Sequence, residues 1–188
     1  RFKGSKERGK HKDGRADGED VEEVLFFPDE QLPCVDFHSE KGCTNDHCDL
    51  AHGDTSLSRL IGHVRTAQES IDICMPSLSF PPFLQEIVAL HKRGVQVRVI
   101  SDERGLVTRP CPLRSLHAAG IEVSGGWDDG SMRHSFIIID GILLINGCFV
   151  LNRDSLRVSR QHAVVRRAPC LIPAFQTEFQ SIFDSAND

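Results

Sequence analysis

The chain has 188 residues, of which 39% are hydrophobic and 26% charged, and its net charge is −5. This length allows one domain with a small appendage, and the apolar fraction is sufficient for a buried core. No apolar run reaches the roughly 18 residues that a membrane-spanning helix needs. The acidic balance does not point to a general nucleic-acid-binding protein.

The N-terminal segment has a different composition from the rest. Residues 1–12 carry six Lys or Arg side chains, one Glu and almost no apolar side chains. Such a segment favours disorder. We expect residues 1–22 to be a disordered basic leader, either a solvated linker or a phosphate-seeking segment beside a membrane. A single domain would then span residues 23–188, and the absence of an initial Met is compatible with a preceding anchor.

Predicted strands and helices alternate along this domain. A short apolar strand at 24–27 is followed by helices around 57–64, 84–90, 113–119, 152–160 and 171–183, and by strands at 70–75, 95–100, 121–123, 132–140, 142–146 and 162–165. This order predicts an α/β fold, a sandwich with a mixed, largely parallel sheet flanked by helices. Function in such sheets gathers at the carboxyl ends of strands, where we expect Asp102, Asp140 and the Gly147 region.

Three cysteines and three histidines cluster between residues 34 and 52. Eight residues separate Cys34 from Cys43, four separate Cys43 from Cys48, and three separate Cys48 from His52. Three thiolates and one imidazole complete a tetrahedral zinc shell with no open position, which is the structural type of site. His38 and His47 are competing donors, but the spacing favours His52. The sequence therefore predicts an inserted structural zinc finger at 34–52.

The remaining cysteines are scattered, and the total of seven is odd. This usage is typical of a reducing compartment rather than of a disulfide framework. Cys74 and Cys148 lie in apolar, strand-like surroundings and are predicted to be buried thiols.

The most informative segment is a predicted hairpin at 131–148. Its first strand ends at Asp140, a tight turn follows at Gly141, and its second strand ends at Gly147 and Cys148. Side chains alternate between the two faces of a strand, so Arg133 and Ser135 share one face and His134 points to the other.

This hairpin resembles the signature of the phospholipase D superfamily. In that motif, one residue of any type separates a His from a Lys, and four residues of any type separate the Lys from an Asp. Within the superfamily, the chain is most similar to the Zucchini nucleases, also called mitochondrial cardiolipin hydrolases. The segments at 24–28, 57–60, 93–102 and 119–123 and the inserted zinc finger support this. The resemblance covers residues 24–185. It implies phosphodiester hydrolysis, as a single-strand RNA endonuclease in piRNA biogenesis or as a cardiolipin hydrolase.

The departures from the family pattern fall on its catalytic positions. Arg133 stands where the nucleophilic His belongs and Ser135 where the phosphate-binding Lys belongs. Asp140 and Gly147 match the pattern. The family pattern also has a Ser, an Asn and a Glu, and in their places this chain has Cys148, Val150 and Gln161, respectively. Arginine stays protonated and cannot attack phosphorus. The combined losses predict a catalytically dead or impaired enzyme that binds phosphodiesters.

Two alternatives remain open at this point. His134 could act as the nucleophile through a register shift of one residue, although a buried strand resists such a shift. The chain could also be a pure protein-interaction module. Arg133 itself could hold a phosphate or pair with Asp140 or another acid.

The resemblance also implies partners and a location. A single motif per chain implies a homodimer, or a heterodimer with an active paralogue. Single-stranded RNA or an anionic phospholipid would be the ligand, with Phe37, Arg133 and Arg153 as candidate nucleic-acid contacts. The implied location is the cytosolic face of the mitochondrial outer membrane.

Overall fold

The structure is a computed structural model that describes residues 20–34, 36–37, 42–102, 112–125 and 132–185. Its elements are β1 (Asp20–Phe27), α1 (Ser56–Arg65), β2 (Ser70–Met75), α2 (Pro81–Lys92), β3 (Gln96–Ser101), α3 (Pro112–Ala118), β4 (Glu122–Ser124), β5 (Phe136–Ile139), β6 (Leu143–Gly147), α4 (Arg153–Val158), β7 (Gln161–Arg167) and α5 (Ile172–Ser185). Residues 20–22 belong to β1, so the expected leader boundary at 22 is too late. The rest of the proposed leader lies outside the described residues.

The strands form one mixed sheet in the order β1-β7-β6-β5-β2-β3-β4. The predicted α/β class and the mixed sheet are confirmed, but "largely parallel" is wrong for the described strands. Only β2–β3 and β3–β4 pair in parallel, whereas β1–β7, β7–β6, β6–β5 and β5–β2 are antiparallel. The reason is connectivity. Parallel neighbours need a crossover such as α2 or α3, whereas β5 and β6 are joined by a tight turn.

The sheet is covered on both faces. One face packs against α1, α2 and α3 through a core that includes Leu60, Ile87, Ile137 and Ile145. The other face packs against α5 through a smaller cluster with Phe136 and Phe179. Alternate residues of β5 serve the two cores, so its four residues are all buried.

Local sequence signals position the helices. Thr55 caps α1 and forms a capping box with Ser58. The carboxylate of Asp29 accepts hydrogen bonds from the next two amides, those of Ser56 and Leu57, at 2.8 and 3.0 Å. Gly94, at φ +92°, follows the end of α2 as predicted. Among the helices of the described ranges, none is both long and apolar enough to cross a bilayer.

A buried ion pair ties α5 to the sheet. Arg98 on β3 donates two hydrogen bonds of 2.8 Å to the carboxylate of Asp72 on β2, which is 7% exposed. These hydrogen bonds raise the pKa of the Arg98 guanidinium above its ordinary value. The same guanidinium lies 4.9 Å from the ring centre of Phe179 on α5.

Replacing Arg98 with Met is therefore expected to lower the free energy of unfolding by about 2 kcal/mol, because the Asp72 carboxylate loses its partner while buried. Urea denaturation measures this. The matched control is Arg59→Met, whose ion pair with Glu23 is half-exposed and is expected to cost less than about 1 kcal/mol. Equal losses in the two variants would contradict the prediction.

Candidate functional site

One edge of the sheet gathers the positions where the family chemistry would lie. Because β5 runs antiparallel to β2 and β6, the start of β5 meets the ends of β2, β3 and β6. A cavity of about 360 Å³ opens there, which we call the edge cavity. It is lined by Pro76, Asp102, Met132, Arg133, Ser135, Cys148, Phe149 and Val150.

Arg133 and Ser135 line this cavity, at the positions where the family pattern has the nucleophilic His and the phosphate-binding Lys. Ser135 is 8% exposed, and its hydroxyl donates a hydrogen bond to the backbone carbonyl of Phe149. A hydroxyl held in this way carries no positive charge and does not replace a phosphate-binding Lys. Arg133 is exposed at the mouth of the cavity and is a cation without nucleophilic character.

His134 points away from the edge cavity, as expected, but the predicted strand at 132–140 is too long because β5 begins only at Phe136. Its Nε2 is 3.0 Å from a carboxylate oxygen of Glu178 on α5, and its ring contacts Phe136 edge-on at 6.0 Å between centres. These contacts hold the imidazole against α5 and away from the lining of the edge cavity.

The structure corrects the assignment of Asp140 to the catalytic face. Asp140 follows the other end of β5, roughly 17 Å along the strand from Ser135. Its carboxylate accepts hydrogen bonds from the backbone amides of Gln68, Glu69 and Ser70 at 2.8 to 3.2 Å. It therefore closes the loop before β2. Because the length of β5 separates the two positions, Asp140 can neither orient a group at position 133 nor pair with Arg133.

The same hydrogen bonds set the charge of Asp140. Burial acts to raise the pKa of this carboxyl, but the amides of Ser70, Glu69 and Gln68 outweigh burial and lower the pKa below its ordinary value. Asp140 and Gly141 both have positive φ, 52° and 62°, as the Asp-Gly turn between β5 and β6 requires.

The second strand of the hairpin shows why Gly147 matches the pattern. A Cβ atom at Gly147 would collide with the carbonyl oxygen of His162 on β7, so only glycine allows this close approach. Gln161, at the family Glu position, accepts a hydrogen bond of 2.8 Å from the amide of Val150. Both residues organise the backbone around the edge cavity.

Two other polar groups lie at this edge. Asp102 accepts a hydrogen bond of 3.2 Å from the amide of Met132. Its other carboxylate oxygen is buried and has no hydrogen-bond partner among the described residues. Cys74 is buried as predicted, and burial, with a smaller contribution from Glu178, raises its pKa to about 12.

Cys148, by contrast, is exposed, so its predicted burial is wrong. It follows the last residue of β6, where the strand has left the core. Its Sγ lies 3.1 Å from Nδ1 of His162. Sequence reasoning missed His162 as a site residue because His162 is 14 positions from Cys148 in the sequence and only the pairing of β6 with β7 brings the two together.

The predicted zinc ligands come together. The donor atoms of Cys34, Cys43, Cys48 and His52 all lie within 4.8 Å of one another. The segment is closed at its base by backbone hydrogen bonds of 2.9 Å between Cys34 and Ala51 and between Ala51 and Leu32.

The donor set fits zinc. The sulfurs of Cys34 and Cys48 are 3.7 Å apart, too far for a disulfide. With Zn–S bonds of about 2.3 Å, two sulfurs of a tetrahedral shell lie roughly 3.8 Å apart.

Burial acts to raise the pKa of Cys34, but hydrogen bonds at Phe37, Cys43 and Cys48 outweigh it and lower the pKa. For Cys43, a backbone hydrogen bond at Asn45 lowers the pKa, but burial and the two neighbouring sulfurs raise it overall.

The candidate nucleic-acid contacts are spread over the molecule. Phe37 is 42% exposed and stacks on the ring of His52 at 4.8 Å. Arg153 begins α4 and is exposed. Two other arginines are engaged within the fold's own contacts: Arg93 donates to the backbone carbonyl of Ala67, and Arg98 donates to the carboxylate of Asp72.

A larger cavity of about 450 Å³ lies between α1, α2 and β1. Apart from Asp54, its charged groups lie in pairs: Glu23 with His63 at 2.5 Å and with Arg59 at 3.4 Å, and Arg65 with Glu86. Because most of its charged groups are paired with one another and none of the family's catalytic positions lines it, we place the candidate site at the edge cavity instead.

Comparisons with known proteins identify the family. The sequence model of the family described as "Cardiolipin synthase, PLD-like domain" matches residues 60–184. The chain is 37% identical to a mitochondrial cardiolipin hydrolase of Chlamydomonas reinhardtii, covering 87% of this chain and 74% of that protein. It is 30% identical to the mitochondrial cardiolipin hydrolase of Homo sapiens, covering 88% and 68%.

The fold is also similar to a solved structure. Nuc, a phospholipase D family member from Salmonella typhimurium, superposes with a TM-score of 0.66 at 20% identity, covering 88% of this chain and 95% of Nuc. At this identity the likeness concerns the fold.

Proposed function

Because the chain belongs to the PLD-like family of cardiolipin synthases and is homologous to the mitochondrial cardiolipin hydrolases, we propose that it binds phosphodiesters at the edge cavity and is impaired in cutting them. The observation that carries this proposal is the pair Arg133 and Ser135. The cavity is retained, while its nucleophile position holds a permanent cation and its lysine position holds a hydroxyl bonded to Phe149.

Arg133 is the group we expect to hold the ligand. A guanidinium can donate two parallel hydrogen bonds to a phosphate, and it lies exposed at the cavity mouth. In a homodimer, or a heterodimer with an active paralogue, two such cavities could face one groove. Light scattering on the samples described below measures this assembly.

The ligand carries a phosphodiester, which both single-stranded RNA and anionic phospholipid present. We propose action at the cytosolic face of the mitochondrial outer membrane, supported by the mitochondrial names of the relatives. With single-stranded RNA as the ligand, the chain would act in piRNA processing. The zinc finger would then provide an additional contact, in which a base stacks on Phe37.

The experiment combines cleavage and binding on zinc-replete protein. Labelled single-stranded RNA and cardiolipin vesicles are tested separately as ligands. For each ligand, the formation of cleavage product and the binding affinity are measured across a series of salt concentrations. We expect salt-sensitive binding without product, because loss of the covalent route removes most of an acceleration of about 10⁶-fold or more. Binding of one probe only identifies the ligand class. Product formation that disappears in His134→Ala would contradict the proposal, and the absence of any binding would favour a protein-interaction module.

Two variants locate the binding site. Arg133→Ala is expected to raise the Kd about tenfold, since a charge-assisted contact contributes about 1.5 kcal/mol. The matched control Lys92→Ala removes the same charge from the end of α2, at the opposite edge of the sheet, and is expected to change the Kd less than twofold. In the same assay, cleavage by an Arg133→His, Ser135→Lys double variant would show that the cavity still presents a phosphodiester correctly.

A further inference from the structure

A thiol–imidazole pair that the family resemblance does not account for lies at the border of the edge cavity, where Cys148 lines the cavity and His162 lies beside Cys148. Sγ of Cys148 lies 3.1 Å from Nδ1 of His162, and both residues are exposed. The backbone fixes this pair, because the amide of Cys148 donates to the carbonyl of His162 at 3.1 Å. Gly147 permits that approach. The contact therefore follows from the β6–β7 pairing.

The pair has the chemistry of an activated nucleophile. An imidazole nitrogen at hydrogen-bonding distance can take the proton of a thiol, and the thiolate is the reactive form of cysteine. The other described cysteines offer useful contrasts. Cys34, Cys43 and Cys48 belong to the metal cluster, and Cys74 is buried with a raised pKa. Cys170 is exposed but lies at the start of α5, away from the edge cavity.

The surroundings suggest the kind of electrophile. Arg133 lines the same cavity and supplies a positive charge at its mouth. The cavity volume of about 360 Å³ suits a small molecule. A low-molecular-weight disulfide that carries carboxylates matches both properties. Asp102 also lines the cavity and opposes an anion, but its hydrogen bond to Met132 already engages one of its oxygens.

We propose that Cys148 and His162 form a site of thiol–disulfide exchange that accepts small anionic disulfides. His162 takes the thiol proton, and the Cys148 sulfur attacks one sulfur of the disulfide. A new S–S bond joins that half of the molecule to Cys148 while the original S–S bond breaks. The other half leaves as a thiolate and receives the proton from His162, so one disulfide and one thiol yield one mixed disulfide and one thiol. This proposal does not require the phosphodiester function, although both place an anionic ligand near Arg133 in the edge cavity.

The test uses the full zinc-loaded chain and glutathione disulfide as the probe. Peptide mapping by mass spectrometry follows modification of Cys148 and Cys170 with time at a mildly acidic pH of about 6.5, where an ordinary thiol is about 1% thiolate. We expect Cys148 to react at least about tenfold faster than Cys170. His162→Asn is expected to remove this excess, and Arg133→Gln is expected to reduce it for glutathione disulfide but not for the uncharged probe iodoacetamide.

Equal rates at Cys148 and Cys170, or an excess that persists in His162→Asn, would overturn the proposal. A second measurement covers the case in which that variant does not fold. The Cys148 to Cys170 rate ratio of the wild-type chain is measured again in urea, where the β6–β7 contact is lost. The ratio should fall to about one, and a ratio that stays high would show that the fold does not create the reactivity.

Discussion

Removal of zinc is expected to unfold the segment between residues 33 and 52 while the seven-stranded sheet remains folded. The segment contributes two buried residues, Pro33 and Cys34, and two backbone hydrogen bonds at its base, and its remaining described side chains are half-buried or exposed. A segment of this kind cannot bury a core, so metal binding supplies its folding free energy, about 10–16 kcal/mol in zinc-finger peptides. Amide hydrogen exchange measured by mass spectrometry, before and after chelation, distinguishes the two regions.

Substitution gives the same result without a chelator. Cys48→Ser is expected to reduce the zinc content from about one per chain to nearly zero, because three donors no longer close the shell. Cys170→Ser is the matched control, since it removes an exposed thiol elsewhere and should leave both zinc content and exchange unchanged. Full zinc retention by Cys48→Ser, or protection of residues 42–52 after chelation, would contradict the assignment.

Replacement of Asp140 with Ala is expected to lower the free energy of unfolding by about 3 kcal/mol without altering the edge cavity. Three backbone amides lose their acceptor, and the position has φ 52°, which Asp tolerates better than Ala. Asp140→Asn is the matched control, because it keeps one side-chain oxygen and suits the same backbone conformation. We expect it to lose about half as much stability in urea denaturation.

The pH dependence of this effect has a definite sign. The folded-state pKa of Asp140 is lowered, so its contribution is complete above the unfolded-state pKa of about 3.9 and is lost as the pH falls through the folded-state value. The stability difference between the wild-type chain and Asp140→Asn should therefore be constant near neutral pH and shrink below about pH 4. A catalytic role would instead predict normal stability with altered phosphodiester binding.

Local sequence patterns predicted most of the elements for identifiable reasons. The apolar spacing at Leu57, Leu60, Ile61 and Val64 produced the face of α1 that packs on the sheet. Residues 70–75 form β2 with the predicted boundaries. The signature strand is shorter than predicted, since β5 begins at Phe136 and residues 132–135 are not in a strand. Residues 132–135 have left the sheet beside the edge cavity. The alternation of apolar and polar residues therefore does not show where the pairing of β5 with its neighbouring strands begins.

The sequence by itself determined the family, the residues at the family's catalytic positions and the four Cys and His side chains of the candidate metal cluster. Each depends on residue identity at a fixed spacing, which a chain retains whether it is folded or not. Tertiary structure alone decided that most of the sheet is antiparallel, that Asp140 closes a distant loop and that Cys148 meets His162. These facts depend on which strands become neighbours and in which direction they run. Strand pairing brings together groups 14 to 72 positions apart, such as Cys148 with His162 and Asp140 with Gln68, and no local pattern encodes those contacts.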